Sequence, residues 1–456
     1  MKRGRVILPS LLLLSICLHV LSALWATAPA SFDHQGRSVE AWIEDLRNED
    51  YSKRSKATDA IVEMKAAVVP HLVHELRQRD SKLRMNLAKL SAKFGGAMIL
   101  PGNASLRRTA AAAALADIPE HAAQAAPALM DAVTDDDKTV SVEVERALRQ
   151  IGEPAIPHVL EGFASGNAKK RAVAVRLIRD IRSASASALA TLHLAVADEE
   201  IAVRREAVVS LRRVGTPKTN VPLLIRALMD ESHGVREEAA RSLGEYDGRA
   251  QRASAALQAL LQDDDVRVRI AAAEAMWKIG ADGRKVLPTL VGAMRHRSAR
   301  WRAVMAISAM GKDAEPAIPF LIAALRDASM HRPFRDPPLA ALALGRIGEA
   351  AWPALVEACK EGDGNTRCGA ALALRDAGKL AGEKERAAMK DLLTDDKRAV
   401  RHAAALAMIA MDEADGALIP VLKEMLGADD DVLRLAAVDS LKRISPDLAW
   451  QLRDME

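Results

Sequence analysis

The sequence predicts an all-α fold, a right-handed α-solenoid of about thirteen stacked helical hairpins. Half of the 456 residues are hydrophobic but only 3% are aromatic, so burial must come from Ala, Leu, Val and Ile, which suits closely packed helices. A proline followed fourteen residues later by an arginine recurs at Pro70, Pro157, Pro222, Pro288, Pro353 and Pro420. From Arg171 to Arg302 the arginines at this position, two of them with alanine in the proline slot, are 32 or 33 residues apart, which is a helical-hairpin period.

Residues 222–244 show the repeating unit. Pro222 stands where a first helix can begin, apolar residues follow at helical spacing, and a polar cluster interrupts the pattern at residues 230–234. A second helix is predicted from Val235, and Gly244 would end it. Because each helix has a single apolar face, the unit requires neighbours of the same kind to fold.

Three segments, AIPFLIAALRD, DDDVRVRIAAAEAMWKIG and DDKRAVRHAAALAM, resemble HEAT repeats, particularly the short kind named after the phycobilisome lyases. The resemblance covers nearly the whole chain after residue 30. It implies a hydrogen-bonded ladder between neighbouring repeats, in which Asp230 with Arg236 and Asp264 with Arg269 have structural roles. It implies little about activity, because the same repeat serves scaffolds, carriers and a few enzymes.

The first 30 residues are predicted to be a signal peptide or an N-terminal membrane anchor. Lys2, Arg3 and Arg5 precede a long apolar run, and small residues stand before Ser31. We therefore expect a periplasmic or secreted protein, or one held at the membrane by an uncleaved segment. Residues 31–456 are predicted to form a single solenoid, with a truncated repeat near 95–106 and an insertion near 329–338.

Motifs for catalysis, cofactors and metals are lacking in the sequence. It has no G-x-G-x-x-G, phosphate loop, H-E-x-x-H or G-x-S-x-G pattern. It has a single His-Glu dipeptide, His74-Glu75, whereas the HEAT-repeat iron hydroxylases of the deoxyhypusine type depend on several. No catalytic residue, cofactor or metal site is predicted. Cys359 and Cys368 are nine positions apart, so they could form a disulfide in an oxidising compartment or remain two isolated apolar thiols.

The second helices carry the main functional signal. Counted from the residue before each periodic arginine, positions 0, 4, 7, 8 and 11 face the core at 100° per residue, and positions 2, 6 and 9 face away. Because the second helices of a HEAT solenoid are expected to line its concave wall, these outward positions should form an exposed stripe. The stripe consists of Arg146, Arg149, Arg176, Arg179, Arg205, Arg212 and Arg241, followed by Ile270, Trp277, Ile307 and Met310.

A basic wall beside apolar residues favours a protein partner or an extended acidic peptide, whose carboxylates the guanidinium groups would bind while apolar anchors are buried further along. The sequence thus predicts a non-catalytic interaction scaffold. Two alternatives remain open. A basic concave face could bind nucleic acid or another polyanion, as in the HEAT-like DNA glycosylases, which the chain resembles in this respect, and the chain could be a HEAT-like enzyme or a lyase- or hydroxylase-type subunit.

The segment HRPFRDPP is a second candidate for partner contact. Its prolines stiffen an exposed turn, and Phe334 between Arg332 and Arg335 could form a recognition tip. A tolerated insertion without function is the alternative.

Overall fold

The computed structural model describes residues 30–79, 104–165, 167–326, 338–413 and 415–445. The predicted signal peptide and most of the predicted truncated repeat lie outside these ranges. Within them the fold is the predicted all-α solenoid of helical hairpins, preceded by a small antiparallel pair of strands, β1 (Asp33–His34) and β2 (Arg37–Ser38).

The chain forms two compact units, unit 1 (Met1–Thr216) and unit 2 (Pro217–Glu456). The described part of unit 1 contains ten α-helices, which are α1 (Val39–Asp45), α2 (Tyr51–Met64), α3 (Val69–Leu76), α4 (Ala104–Asp117), α5 (Ala126–Ala132), α6 (Lys138–Ile151), α7 (Ile156–Phe163), α8 (Ala168–Ile181), α9 (Ala186–Ala195) and α10 (Ile201–Leu211).

The described part of unit 2 contains fourteen α-helices. They are α11 (Pro217–Ala227), α12 (His233–Gly244), α13 (Ser254–Ala259), α14 (Val266–Lys278), α15 (Gly283–Ala293), α16 (Arg300–Met310), α17 (Ile318–Ala324), α18 (Leu339–Ile347), α19 (Trp352–Glu361), α20 (Gly364–Leu374), α21 (Glu383–Leu392), α22 (Arg398–Ala410), α23 (Ile419–Leu426) and α24 (Asp431–Ile444).

In each unit the helices pack in two layers. First helices contact first helices, as in α5, α7 and α9, and second helices contact second helices, as in α12, α14, α16 and α18. The core between the layers consists mainly of alanine, leucine, valine and isoleucine, with Leu148, Leu177 and Leu211 fully buried. Alanine lets the helix backbones approach closely, and burial of the leucines supplies the hydrophobic stabilisation.

Aspartates organise the turns between the two helices of a hairpin. The carboxylates of Asp135, Asp263 and Asp395 each accept the backbone N–H two residues further on, at 2.8 to 3.0 Å. Asp137 and Asp265 then cap α6 and α14 by accepting the N–H of the second helical residue at 2.8 Å. A turn of sequence Asp-x-Asp therefore satisfies several backbone donors at the start of the second helix.

The predicted ladder between repeats is present, and at Arg236 the arginine binds both the carboxylate of the next turn and the backbone carbonyls of its own turn. Nη1 of Arg236 donates to the carbonyl oxygens of Asp230 (2.8 Å) and Glu231 (3.1 Å) in its own turn. Its Nε and Nη2 donate to the carboxylate of Asp263 in the next turn, at 2.8 and 3.0 Å. Arg269 likewise donates to the carbonyl oxygens of Asp263 and Asp264 in its own turn. The expected pairs Arg236 with Asp230 and Arg269 with Asp264 are therefore present, but the arginine binds the backbone carbonyl and not the carboxylate. The same carboxylate contact joins Arg108 to Asp135, Arg171 to Asp198 and Arg367 to Asp395.

Prolines stand at the start of many of the described first helices, as predicted. The helices α3, α5, α7, α17, α19 and α23 each have proline in the first two positions. Pro222 and Pro288 are exceptions, because they lie inside α11 and α15. In α15 the carboxylate of Asp282 caps the helix by accepting the N–H of Arg284 at 2.9 Å, so the cap sets the start upstream of the proline.

Glycines have two different structural roles, close helix packing and helix termination. At Gly244 a Cβ would lie 3.1 Å from Cα of Ala275, so glycine permits close contact of α12 with α14 and does not end the helix through a left-handed turn. Gly152 and Gly348 do end helices through a positive φ, of 72° and 81°.

Among the described residues, 339–361 form one stretch long and apolar enough to cross a membrane. The break at Gly348 divides that stretch into α18 and α19, which both pack in the helical layers.

Candidate partner-binding surfaces

In unit 1 the predicted stripe is formed by α6, α8 and α10, and acidic residues neutralise much of it. Arg176 binds Glu145 on the neighbouring helix through both Nη2 (2.7 Å) and Nε (3.2 Å). Arg179 donates to Glu206 at 2.9 Å and to Asp180 at 3.0 Å. Burial disfavours the charge of Arg176, but the hydrogen bonds and charge of Glu145 outweigh it and raise the pKa of the guanidinium. These two arginines connect neighbouring repeats.

Arg146 and Arg149 are also paired. Nε of Arg146 lies 2.7 Å from Glu143, and its Nη2 donates to the carbonyl oxygen of Ala113 at 3.2 Å. Arg149 is 40% exposed and lies 3.5 Å from Asp180. The predicted basic wall is therefore a largely charge-balanced surface at these four arginines, because acidic side chains from the same layer occupy their guanidinium groups.

Arg205 on α10 and Arg212, the C-cap residue directly after α10, differ from the rest of the stripe. Arg205 is exposed and Arg212 half-buried, and neither forms an ion pair with any residue in the described ranges. Glu206, next to Arg205, is occupied by Arg179. The positive charge of the unit 1 stripe is thus concentrated at these two side chains.

In unit 2 the periodic arginine of α16 is Arg300. The prediction that Arg302 occupies this repeat position is wrong. Nε of Arg300 donates to the carbonyl oxygen of Met294, six residues earlier, which is the contact that Arg236 and Arg269 make in their own turns. Ala299, which precedes Arg300, is 1% exposed, as the core position before the arginine should be. The turn before α16 is two residues shorter than the period predicts.

This change of register alters the stripe on α16. Ile307 is fully buried and Met310 is 5% exposed, so both belong to the core and neither is the predicted surface anchor. Counted from the residue before Arg300 as position 0, the three outward positions are 301, 305 and 308. Trp301 is 54% exposed and Met305 is 38% exposed, whereas Ser308 is 1% exposed. The exposed tryptophan in the sequence RHRSARWR was the available signal, because a core position would not place it beside four arginines.

The remaining unit 2 residues of the predicted stripe, Ile270, Trp277 and Arg241, are buried or bound to neighbouring side chains. Ile270 is 4% exposed, contrary to the prediction that it would be a surface anchor. Trp277 is half-buried, and its Nε1 donates to Asp313 at 3.0 Å. Arg241 binds Glu237 at 2.8 Å, and the same Glu237 oxygen accepts from Arg302 at 2.7 Å. Side chains of α12 and α16 therefore meet over α14, which helps to explain the burial of Ile270 on that helix.

The other predicted site residues have simple outcomes. Arg332, Phe334 and Arg335 lie outside the described residues. Cys359 and Cys368, both described, are buried free thiols, so the suggested disulfide is absent. Cys368 is directed at the carbonyl oxygen of Ala399 on α22, at 3.6 Å from its Sγ.

Within the described ranges, no group of three or more His, Cys, Asp or Glu side chains is placed to hold a metal ion. These surfaces carry ion-paired arginines, exposed apolar side chains on α16, and two arginines, Arg205 and Arg212, without an ion-pair partner in the part of the chain that the structure describes. Such features are suited to contact with another macromolecule.

Comparison with known proteins identifies the family. The family described as HEAT repeats matches residues 189–277, 253–332 and 339–409. Stacked helical hairpins with a repeating turn define an α-solenoid, and this chain is a HEAT-repeat protein. HEAT solenoids are commonly protein-interaction scaffolds and are typically non-catalytic. The sequence matches none of the curated proteins with which it was compared.

Among solved structures, the chain is similar to karyopherins. The complex of Kap95 with Nup1 matches with a TM-score of 0.52 and 14% identity, over 91% of this chain and 63% of the matched chain. Kap95p in its complex with RanGDP matches with a TM-score of 0.50 and 13% identity, over 91% and 68%. Kap121p matches with a TM-score of 0.50 and 14% identity, and the chain spans about half of its length, 48%. At these identities the likeness shows the fold alone.

Proposed function

We propose that this protein is an exported HEAT-repeat scaffold that binds an acidic segment of a partner protein through Arg205 on α10 and Arg212 at the C-terminal end of that helix. The observation that carries the proposal is that these two guanidinium groups lack carboxylate partners among the described residues, whereas the other stripe arginines of unit 1 are paired. An unpaired guanidinium can bind a carboxylate with two parallel hydrogen bonds without first breaking an internal ion pair.

The spacing of the two arginines suggests the form of the ligand. They are seven positions apart, which is about 10 Å along a helix at 1.5 Å per residue. In a polyproline II segment, which has three residues per turn and rises about 3.1 Å per residue, residues i and i+3 lie on the same side about 9 Å apart. Acidic side chains at positions i and i+3 of such a segment therefore fit Arg205 and Arg212.

A protein partner is favoured over nucleic acid by the charges around the pair. Glu143, Glu145 and Glu206 neutralise Arg146, Arg176 and Arg179, so this layer does not offer the continuous row of cations that a chain of phosphates requires. A partner with two separated carboxylates needs only Arg205 and Arg212. The solved karyopherin structures contain protein partners, as their descriptions name RanGDP and Nup1, and a protein ligand for this chain follows the same general use of the fold.

The partner can be tested by comparative capture. Wild-type protein, the double variant R205E/R212E and the control K53E/K56E are immobilised and exposed to the extracytoplasmic fraction. Lys53 and Lys56 are exposed on α2, so the control makes the same change in net charge elsewhere on unit 1. We expect one protein to be retained by wild type and control and lost with R205E/R212E. Equal retention by all three, or retention of DNA instead, would contradict the proposal.

Export is tested separately. Lys2, Arg3 and Arg5 before the apolar run support a signal or anchor, and cleavage is expected before Ser31. N-terminal sequencing of the protein from fractionated cells should give Ser31 if the segment is removed, or Met1 in the membrane fraction if it remains as an anchor. Recovery of the uncleaved chain from the soluble cytoplasm would contradict export and leave the arginine proposal intact.

A further inference from the structure

The turn between α15 and α16 lacks the aspartates found in the other described turns that join the two helices of a unit 2 hairpin. Examples of those turns are LQDDD at residues 261–265 and GADDD at 427–431. Residues 295–300 read RHRSAR and contain no acid. Arg295 and Arg297 are exposed, and within the described ranges neither takes part in an ion pair.

The ladder is altered at the same turn. Nη2 of Arg269 lies 3.5 Å from Nε2 of His296, whereas the corresponding Nη2 of Arg236 binds the Asp263 carboxylate at 3.0 Å. The turn has therefore lost the acid that joins neighbouring repeats. Because this loss removes a stabilising contact, the basic sequence is not explained by the stacking of the repeats.

An apolar cavity opens beside this turn, between the first helices α15 and α17. Its volume is about 270 Å³, and it is lined by Val291, Met294, Arg295, Arg300, Phe320, Ala323 and Ala324. The ring of Phe320 is 49% exposed at this cavity. The volume lies below the roughly 300 Å³ at which small-molecule pockets begin, so a single large side chain suits it better than a cofactor.

We propose that this cavity and turn form a second docking site, which binds an acidic segment of another protein carrying one large aliphatic or aromatic side chain. The apolar side chain enters the cavity against Phe320, and carboxylates on either side of it bind Arg295 and Arg297. An apolar anchor surrounded by charge-assisted hydrogen bonds is the usual arrangement of an interface centre. The site lies within unit 2 and is independent of the arginine pair on α10.

The local charge pattern favours a peptide over nucleic acid. The basic surface is one turn wide, and Asp263, Asp264 and Asp265 occupy the preceding turn. Adjacent helices in a layer are about 8–10 Å apart, so a polyanion that continued past Arg297 would meet these acids. A short peptide with its carboxylates near one anchor avoids this repulsion.

Two synthetic peptides test the proposal with the full chain. EDELEDE carries a central leucine anchor, and EDESEDE has serine in its place. Fluorescence anisotropy of the labelled peptides should show EDELEDE binding wild-type protein about tenfold more tightly, because only leucine gains from burial in an apolar cavity. The charge reversal R295E/R297E should weaken both peptides by about tenfold or more, because two attractive contacts become repulsive.

Two further variants separate the cavity from the charges. Ala323 is exposed at the cavity, so A323W should block it without disturbing the core and should abolish the preference for EDELEDE. The control R252E/K384E reverses two exposed charges elsewhere on unit 2 and should bind like wild type. Equal affinity for the two peptides, undiminished binding by R295E/R297E, tighter binding of an oligothymidylate than of EDELEDE, or no binding at millimolar peptide would each overturn the proposal. None of these outcomes bears on Arg205 or Arg212.

Discussion

Nη1 of Arg302 lies 2.7 Å from Oε1 of Glu237, a residue 65 positions earlier and two hairpins away in the stack. The Glu237 side chain is 11% exposed and also binds Arg241 at 2.8 Å. Because α14 stands between the two helices that carry them, Arg302 and Glu237 join non-neighbouring repeats. This face of α14 is consequently not available to a partner.

A double-mutant cycle measures that contact. We expect R302A and E237A to show a coupling free energy of about 1–2 kcal/mol in urea denaturation, because the carboxylate is largely buried and the guanidinium about a third exposed. The matched control is a cycle of R302A with E238A, whose side chain forms no ion pair within the described ranges, and it should give coupling near zero. Equal coupling in the two cycles would show that the effect is not the contact itself.

The ladder arginines should not tolerate lysine. R236K removes the paired hydrogen bonds to Asp263 and at least one of the two carbonyl contacts, since an ammonium group cannot reproduce the planar geometry of guanidinium. We expect a loss of about 2–3 kcal/mol in unfolding free energy. R226K, on the exposed part of α11, should change stability by less than about 0.5 kcal/mol. A similar loss for both substitutions would contradict the ladder's structural role.

Acid should destabilise the turn before α14. The hydrogen bond from Arg267 lowers the pKa of Asp265 from 3.8 to about 2. A carboxyl whose folded pKa is depressed contributes stability above its unfolded pKa, and the contribution is lost as the pH falls from about 4 to about 2. We expect D265N, which keeps a capping side chain, to lower stability at pH 7 by about 1 kcal/mol after solvent screening and to match wild type near pH 2. A constant difference across this range in thermal denaturation would refute the assignment.

The two cysteines should react slowly in the native protein. Burial raises the pKa of Cys359 to about 12 and that of Cys368 to about 11, so little thiolate forms at pH 8. Alkylation by iodoacetamide should be about a hundredfold or more slower than in denaturant, where both thiols titrate normally. Intact mass spectrometry of the chain that begins at Ser31, which lacks Cys17, should show two added groups after denaturation without reductant. A mass lower by two hydrogen atoms, with no alkylation, would instead indicate a disulfide.

The sequence predicts the repeat well because the repeat depends on local chemistry. Alanine and leucine at helical spacing, the turn aspartates and the arginine in the first turn of the second helix all act within a few residues of one another. Pro222 shows where this local reading fails, because a helix may start upstream of a proline when an earlier residue can cap it or begin the turn. Gly244 fails similarly, since its role depends on Ala275 in the next repeat.

The surface was harder to predict because it depends on contacts between repeats. Arg176 appears free on a single helix, yet Glu145, 31 positions earlier, neutralises it. That separation is close to the repeat period, so acids one period away were a usable signal for lateral pairing. The errors at Ile307 and Met310 have a different cause, because a turn two residues shorter than the period shifted every later position of α16.

The most direct test of the central claim is the dissociation constant of the captured partner for wild-type protein, R205E/R212E and the control K53E/K56E. Each charge-assisted hydrogen bond contributes about 1.5–3 kcal/mol, so loss of both arginines should weaken binding by about a hundredfold or more, while the control stays within about twofold of wild type. Wild-type affinity in R205E/R212E would contradict the account, because it would place the partner away from Arg205 and Arg212.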